Sequence, residues 1–252
     1  RNNYQFFRAE MNLRAVQRLA VESGLRHALR LGQFHLRYQP KIDLESGHMT
    51  GAEALIRWHD PAHGLIYPDQ FIPIAEECGL IKPIGRWVLG EACRQVQSWL
   101  DQGLDAVPVA INISALEFRH KDFLGAVARA LKESTLAPAY LELELTESIL
   151  MRDAEASATT LKALKDMGVR LAIDDFGTGY SSLSYLRRFP IDTLKIDQSF
   201  VRDIASDGDN ATIVSAVIGM GRNLQQRVIA EGVETAEQLD FLKEKRCDEG
   251  QG

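Results

Sequence analysis

Apolar positions recur at three- and four-residue spacings through residues 7–31, at Leu13, Val16, Leu19, Ala20, Leu25, Ala28 and Leu29, and predict one helix that stops at Gly32. Residues 34–42 then alternate as a strand does, Glu45-Ser-Gly-His has turn chemistry, and residues 49–58 predict a second strand. So short a connection makes the pair an antiparallel hairpin. Beyond it the period switches repeatedly between two and 3.6. Strands are expected over 107–113, 140–145, 170–174, 192–196 and 227–230, and helices over 69–77, 83–101, 122–133, 155–167, 210–224 and 235–244. Such alternation implies a mostly parallel sheet with helices outside. The segments VPVAINI and VRLAID are apolar on both faces until their last residues, as strands covered on both sides should be. Seven strands can be counted, and an eighth would begin near Cys247. The expected fold is α/β, a TIM-type (β/α)8 barrel with one antiparallel strand at the start. Residues 1–32 would be a connector helix packed on the barrel, and 33–252 a single barrel domain with its last strand cut short.

Composition narrows the class without changing it. The 252 residues are 45% hydrophobic and 25% charged, as in an ordinary globular protein. No apolar run reaches the roughly 18 residues of a membrane span, and no signal peptide precedes Arg1, so a cytoplasmic piece of a longer chain is expected. The net charge of −6 argues against general nucleic-acid binding. Residues 1–37 are an exception, with seven Arg and two acids, and are expected to form a solvated helix face. Three widely spaced cysteines fit neither a disulfide framework nor a zinc cluster, and they read as reduced thiols.

The candidate chemistry sits at the strand ends. Barrel enzymes collect their reactive groups at the carboxyl ends of the strands, and side chains two apart share a face. Here Glu53, Leu55 and Arg57 share one face, as do Ala110, Asn112 and Ser114; Glu142 and Glu144 oppose Leu141, Leu143 and Leu145; later strands end on Asp174-Asp175, carry Lys195 with Asp197, or end on Glu231. One carboxylate at a strand end is ordinary. Six consecutive strands presenting an acid, amide or lysine at the same end imply a shared site. Converging carboxylates raise one another's pKa unless a cation offsets them. The oxygen-only set Glu53, Asn112, Glu144, Asp174, Asp175 and Glu231 suits two Mg²⁺ or Mn²⁺ ions and not zinc. None of the six His has metal-ligand spacing at a strand end. From the residues alone, this is a metal-dependent phosphoesterase.

The chain also resembles a known family. Glu53-Ala54-Leu55 followed by Ile56-Arg57-Trp58, Tyr38-Gln39-Pro40, Asn112-Ile113-Ser114, Glu144-Leu145-Thr146-Glu147-Ser148, the block from Asp174 to Ser182, Leu194-Lys195-Ile196-Asp197 and Glu231-Gly-Val-Glu234-Thr resemble, in order, the EAL-domain family of cyclic-di-GMP phosphodiesterases. The resemblance implies hydrolysis of cyclic di-GMP to linear 5′-pGpG with two Mg²⁺ or Mn²⁺ ions, Ca²⁺ being inhibitory. It implies that Lys195 orients or helps deprotonate the attacking water, with Glu53 and Glu231 as the other catalytic residues. It implies substrate contacts from Gln39, Leu55, Arg57, Asp197, Glu234 and Gln251, Arg57 acting through a phosphate. Glu147 would anchor the loop 176–182, which in the family reaches toward a dimer interface, so a homodimer is expected. An upstream diguanylate cyclase or sensor domain is a further expectation. In two places the chain departs from the family. The family continues past Gly252 with an aromatic, proline-containing tail, and Arg246 stands where a Gly usually precedes Cys-Asp, which should affect a turn. Two other readings use the same residues. A catalytically silent cyclic-di-GMP receptor would lose ligands that are all present here, and an enolase-like barrel with Lys195 as base would need fewer acids.

Overall fold

The computed structural model describes residues 9–179, 183–204 and 208–252, with side chains from Arg18 onward apart from those of 183 and 184. Helix α1 (Ala9–Leu31) leads into the hairpin β1 (Phe34–Asp43) and β2 (Met49–Asp60), to which a short β3 (Gly64–Ile66) adds. Then follow α2 (Pro68–Glu77), α3 (Ile81–Asp101), β4 (Val109–Asn112), α4 (Ala115–Phe118), α5 (Phe123–Ser134), β5 (Leu141–Thr146), α6 (Glu147–Met151), α7 (Ala154–Asp166), β6 (Arg170–Phe176) and α8 (Leu183–Leu186). The chain completes the ring with β7 (Thr193–Ile196), α9 (Gln198–Arg202), α10 (Gly208–Asn223), β8 (Arg227–Glu231), α11 (Ala236–Glu244) and β9 (Glu249–Gln251).

Among the described residues, eight strands close in the order β1-β9-β8-β7-β6-β5-β4-β2, with β1 paired back onto β2. β1 runs antiparallel to both its neighbours, in register from Phe34↔Trp58 to Gln39↔Glu53 on one side and at Ile42↔Gly250 on the other. The remaining ring pairs are parallel. This is the TIM-type barrel with a reversed first strand that the hydrophobic pattern predicted. The pattern did not disclose β3, α4, α6, α8 and α9, each too short to show a period. The stretch after Cys247 supplies the eighth strand, three residues long and bonded to both neighbours.

Two shells hold the ring. Alternate residues Leu141, Leu143 and Leu145 of β5, Ile173 of β6, Leu194 and Ile196 of β7 and Val228 of β8 are buried beneath the helices. Gly221 of α10 lies so close to Val228 and Leu194 that a Cβ there would come within 2.3 Å of Val228. The intervening residues point into the lumen, where the usual apolar filling is largely replaced by buried charge, with Lys41, Glu142, Glu144 and Lys195 at the centre. Local caps pin the connections at the mouth. Ser114 and Glu117 form a reciprocal capping box for α4, and Thr235 and Gln238 do the same for α11.

Arg246, at the family's usual glycine, adopts φ 58°. A side chain in this left-handed region costs about 1 kcal/mol, which is the effect on a turn expected at this position. Its carbonyl accepts a bond from Arg222 Nη2 at 2.9 Å. No helix among the described residues is long and apolar enough to cross a membrane.

Helix α1 docks through Leu25 and Ala28, both fully buried. Beside them Trp58 packs edge-on against Phe71 with ring centroids 5.9 Å apart. Gly24 permits that approach, because a Cβ there would lie 2.6 Å from the Trp58 ring. Gly24→Val should therefore overpack the seam and destabilise the fold by about 1–3 kcal/mol. Denaturant unfolding should show a lower midpoint, and hydrogen exchange should show loss of protection concentrated in α1.

Candidate active site at the barrel mouth

Asp174 and Asp175 are consecutive, and in a regular strand their side chains would point to opposite faces. Both reach the mouth because the β6–β7 register shifts between Ile173 and Phe176 and Asp175 takes φ 52°. Asp is among the few residues that adopt this conformation readily. The Asp175 amide then donates to Asp174 Oδ1 at 3.0 Å. With Glu231 at the end of β8, these two residues can bring one oxygen each within 4.8 Å of the others.

Lys195 stands at the middle of the site and is wholly buried. Its Nζ lies 2.6 Å from Glu231 Oε1, 2.7 Å from Glu144 Oε2, 3.2 Å from Asp174 Oδ1 and 3.4 Å from Glu53 Oε2. Glu53 is held on its other flank by amides. Asn112 Nδ2 donates to its Oε1 at 2.6 Å, and Gln251 Nε2 donates to its Oε2 at 2.7 Å while also lying 3.2 Å from Gln39 Oε1. Gln251 Oε1 is buried without a partner, an acceptor left for a donor in the mouth.

The other expected residues have their own surroundings, and of these Asp197 touches the central group. Arg57, two residues along β2 from Leu55, donates to the Ile56 carbonyl at 2.9 Å and its guanidinium carbon sits 5.5 Å from the Tyr67 ring centroid. Asp197 neighbours Asp175 and also caps α9, accepting bonds from the Ser199 amide and hydroxyl. Glu234 is exposed, and the bond recorded for it runs from its backbone amide to Gln238 Oε1. Glu147 is buried beside Gly179, where a Cβ would meet its carboxylate at 3.4 Å. The rest of the loop expected to depend on Glu147, residues 180–182, lies outside the described residues.

Residues 22–252 match the EAL domain family. The chain belongs to that family. It is 50% identical over its full length to the bifunctional diguanylate cyclase/cyclic di-GMP phosphodiesterase MucR of Pseudomonas aeruginosa, and 45% identical over its full length to the cyclic di-GMP phosphodiesterase NbdA of the same organism. It spans 37% and 32% of the lengths of these two curated relatives. Among solved structures, the PaMucR phosphodiesterase in complex with c-di-GMP superposes with a TM-score of 0.90 at 51% identity, over 92% of this chain and 94% of that one.

The EAL mouth carries more negative charge than its lysine balances. Burial pushes the Glu231 carboxyl up to about 8; Lys195 opposes that, and Asp174 and Glu53 add to it. Burial likewise lifts Asp174 to about 6, against Lys195 and with Glu144, Asp175 and Glu53. Asp175 is also raised, by burial and by neighbouring Asp197. Burial alone would depress Lys195, but Glu144, Asp174, Glu53 and Glu231 outweigh it and hold the ammonium well above its ordinary value. An oxygen-only cluster with carboxyls forced toward protonation is chemistry suited to a hard divalent cation. Of the six residues expected to hold it, Asp174, Asp175 and Glu231 can bring oxygens together for one, while Glu53 and Glu144 reach that group through Lys195 and Asn112 through Glu53.

Beneath this EAL centre is a residue that sequence reasoning missed. Lys41 of β1, 2% exposed, lies 2.7 Å from Glu144 Oε1 and 2.6 Å from Glu142 Oε1. Its spacing of two from Gln39 on an alternating strand was the available signal. Arg227 extends the network downward, 2.9 Å from Glu249 Oε1 and 3.7 Å from Glu142 Oε2.

A carboxyl whose folded pKa is raised holds its proton where the unfolded chain has lost it, so stability falls as pH climbs from the unfolded value through the folded one. Glu231 sets the upper part of that window, near pH 8. With chelator present, the melting temperature should decline from pH 7 to 9, and Glu231→Gln should flatten that decline. Calorimetric melts across the range check it, and an equal slope in both proteins would remove Glu231 as the source.

Proposed function

We propose that this EAL domain is a divalent-cation-dependent phosphodiesterase that opens cyclic di-GMP to linear 5′-pGpG. The observation that supports it most is the convergence of six oxygen-bearing residues and Lys195 at one end of a barrel whose structural neighbour PaMucR was solved with c-di-GMP. The reaction adds one water across one phosphodiester. Water oxygen bonds to phosphorus, the bond from phosphorus to O3′ breaks, O3′ leaves carrying a proton, and the phosphate stays on the 5′ side.

Each residue has a definable part in this reading. The Lys195 ammonium, held among four carboxylates, has three N–H donors and would turn one toward a water at the mouth once a cation draws off part of that carboxylate charge, keeping the water aimed at phosphorus. Glu53 is kept from rotating by Asn112 and Gln251, so its carboxylate stays presented. Arg57, beside Tyr67 on the hairpin, offers a guanidinium for the substrate's second phosphate. Gln251 Oε1 and Gln39 offer polar atoms to the nucleoside that lies across the barrel seam. A divalent ion held by the carboxylates would supply charge neutralisation and acidify water. In the same reading, residues 1–32 connect the barrel, 33–252, to a preceding signalling domain, as the bifunctional name of MucR suggests.

Purified protein incubated with cyclic di-GMP and Mg²⁺ or Mn²⁺ should yield pGpG by chromatography. Ca²⁺, which binds at about 2.3–2.6 Å in looser geometry than Mg²⁺, should support binding by calorimetry and leave the dinucleotide intact. Glu53→Ala should lower kcat roughly a hundredfold or more, an effect of about 2.7 kcal/mol on the barrier. Binding without turnover in every metal would instead make the domain a receptor.

A further inference from the structure

We propose that Lys41 is a positioning residue for this reaction: from the barrel floor it grips Oε1 of Glu144 and so fixes the direction in which Glu144 presents its carboxylate to the mouth. The inference rests on the reading of Glu144 as a metal-holding residue.

Four observations carry it. First, the two oxygens of Glu144 are held by two different lysines, Oε1 by Lys41 at 2.7 Å and Oε2 by Lys195 at 2.7 Å. The terminal torsion of a glutamate is broad and roughly two-fold, so a single anchor leaves the carboxylate plane free to turn. Two anchors from opposite sides set it. Second, space is reserved for Lys41. Gly51 lies under its stem, where a Cβ would sit 3.3 Å from Lys41 Cδ. Third, Glu142 has a second cation in Arg227, which in turn is secured by Glu249 Oε1 at 2.9 Å. Charge balance for Glu142 is therefore not the whole task of Lys41. Fourth, buried ion pairs are poor sources of net stability, since apolar replacements of similar volume are often as stable or more so. A lysine 2% exposed and bound to two carboxylates therefore needs another explanation. Holding an outer partner of a ligating carboxylate is one with known weight, because loss of such partners typically costs 10–100-fold in metal affinity or activity.

The decisive variant is Lys41→Met/Glu142→Leu. It removes one positive and one negative charge together, so the net charge beneath Glu144 is unchanged and only its anchoring is lost. Glu142→Leu alone leaves Lys41 on Glu144 and is the control. Circular dichroism and melts establish that both fold. Should the double variant melt early, Lys41→Gln/Glu142→Gln keeps a polar floor with the same net charge and takes its place. Calorimetric titration with Mn²⁺ in the absence of nucleotide should show the dissociation constant weakened at least about tenfold in the double variant and within about threefold of the parent in the control. With cyclic di-GMP and saturating Mn²⁺, kcat of the double variant should fall at least about tenfold while KM stays within about threefold. A folded double variant that binds Mn²⁺ and turns over within threefold of the parent overturns the inference and leaves Lys41 a charge balancer. A parent that binds Mn²⁺ but cleaves nothing overturns the proposed activity, and the Mn²⁺ titration still decides Lys41. A parent that binds no Mn²⁺ overturns both.

Discussion

Glu144 is suspended between two buried lysines, and the rest of the barrel's interior follows from that arrangement. Burial resists its ionisation, yet Lys195 and Lys41 together hold its pKa below the ordinary glutamate value. A charge can stay enclosed only when matched in this way. The matching does not extend upward. Among the described residues, the lumen's ion pairs join Lys41, Lys195 and Arg227 to Glu53, Glu142, Glu144, Asp174, Glu231 and Glu249, three cations to six carboxylates, and Asp175 adds a seventh at the mouth. The deficit gathers at the open end, where Asp174 and Glu231 are raised instead of lowered. On the floor, burial also raises Glu249 against Arg227, but the larger upward shifts are those of Asp174 and Glu231 at the mouth. That gradient, more than any single residue, gives the mouth its demand for a cation.

The separation of roles between the two shells makes this tolerable. Outward-facing leucines, isoleucines and valines of β5 to β8 supply the apolar burial that fastens helices to strands. Inward-facing positions are thereby released from packing duty and can carry ions in the lumen. A carboxylate lost from the mouth would leave the outer shell untouched, whereas loss of Lys41 alone from the floor would leave Glu142 and Glu144 short of a buried partner. The two levels of one lumen differ in what they can absorb.

The architecture was legible because its elements are long and periodic. The antiparallel hairpin, the alternation of strand and helix and the reversed first strand all followed from period and connection length. The acidic residues at the strand ends were legible for the same reason, since residues two apart on a strand share a face. Lys41 escaped because a lone lysine on a hairpin strand ordinarily points to solvent; only ring closure turns that face inward. The shared orientation of Asp174 and Asp175 could not be derived from alternation at all, for it depends on the left-handed backbone at Asp175 and the shifted register beside it. Glu117, buried as the reciprocal cap of Ser114, likewise looks like an ordinary surface acid until α4 is seen to begin there.

The amide that steadies Glu53 comes from Gln251, 198 residues further along the chain, and the same Gln251 reaches across 212 residues to Gln39. Contacts that close so large a loop carry the full entropic cost of bringing distant segments together, and they form slowly. The βα units between them rely on near neighbours and can assemble without them. During refolding, helical signal should therefore return well before the Glu53 clamp exists, and a population of nearly complete barrels would be chemically silent. The contacts that complete the mouth are thus the ones expected to form last.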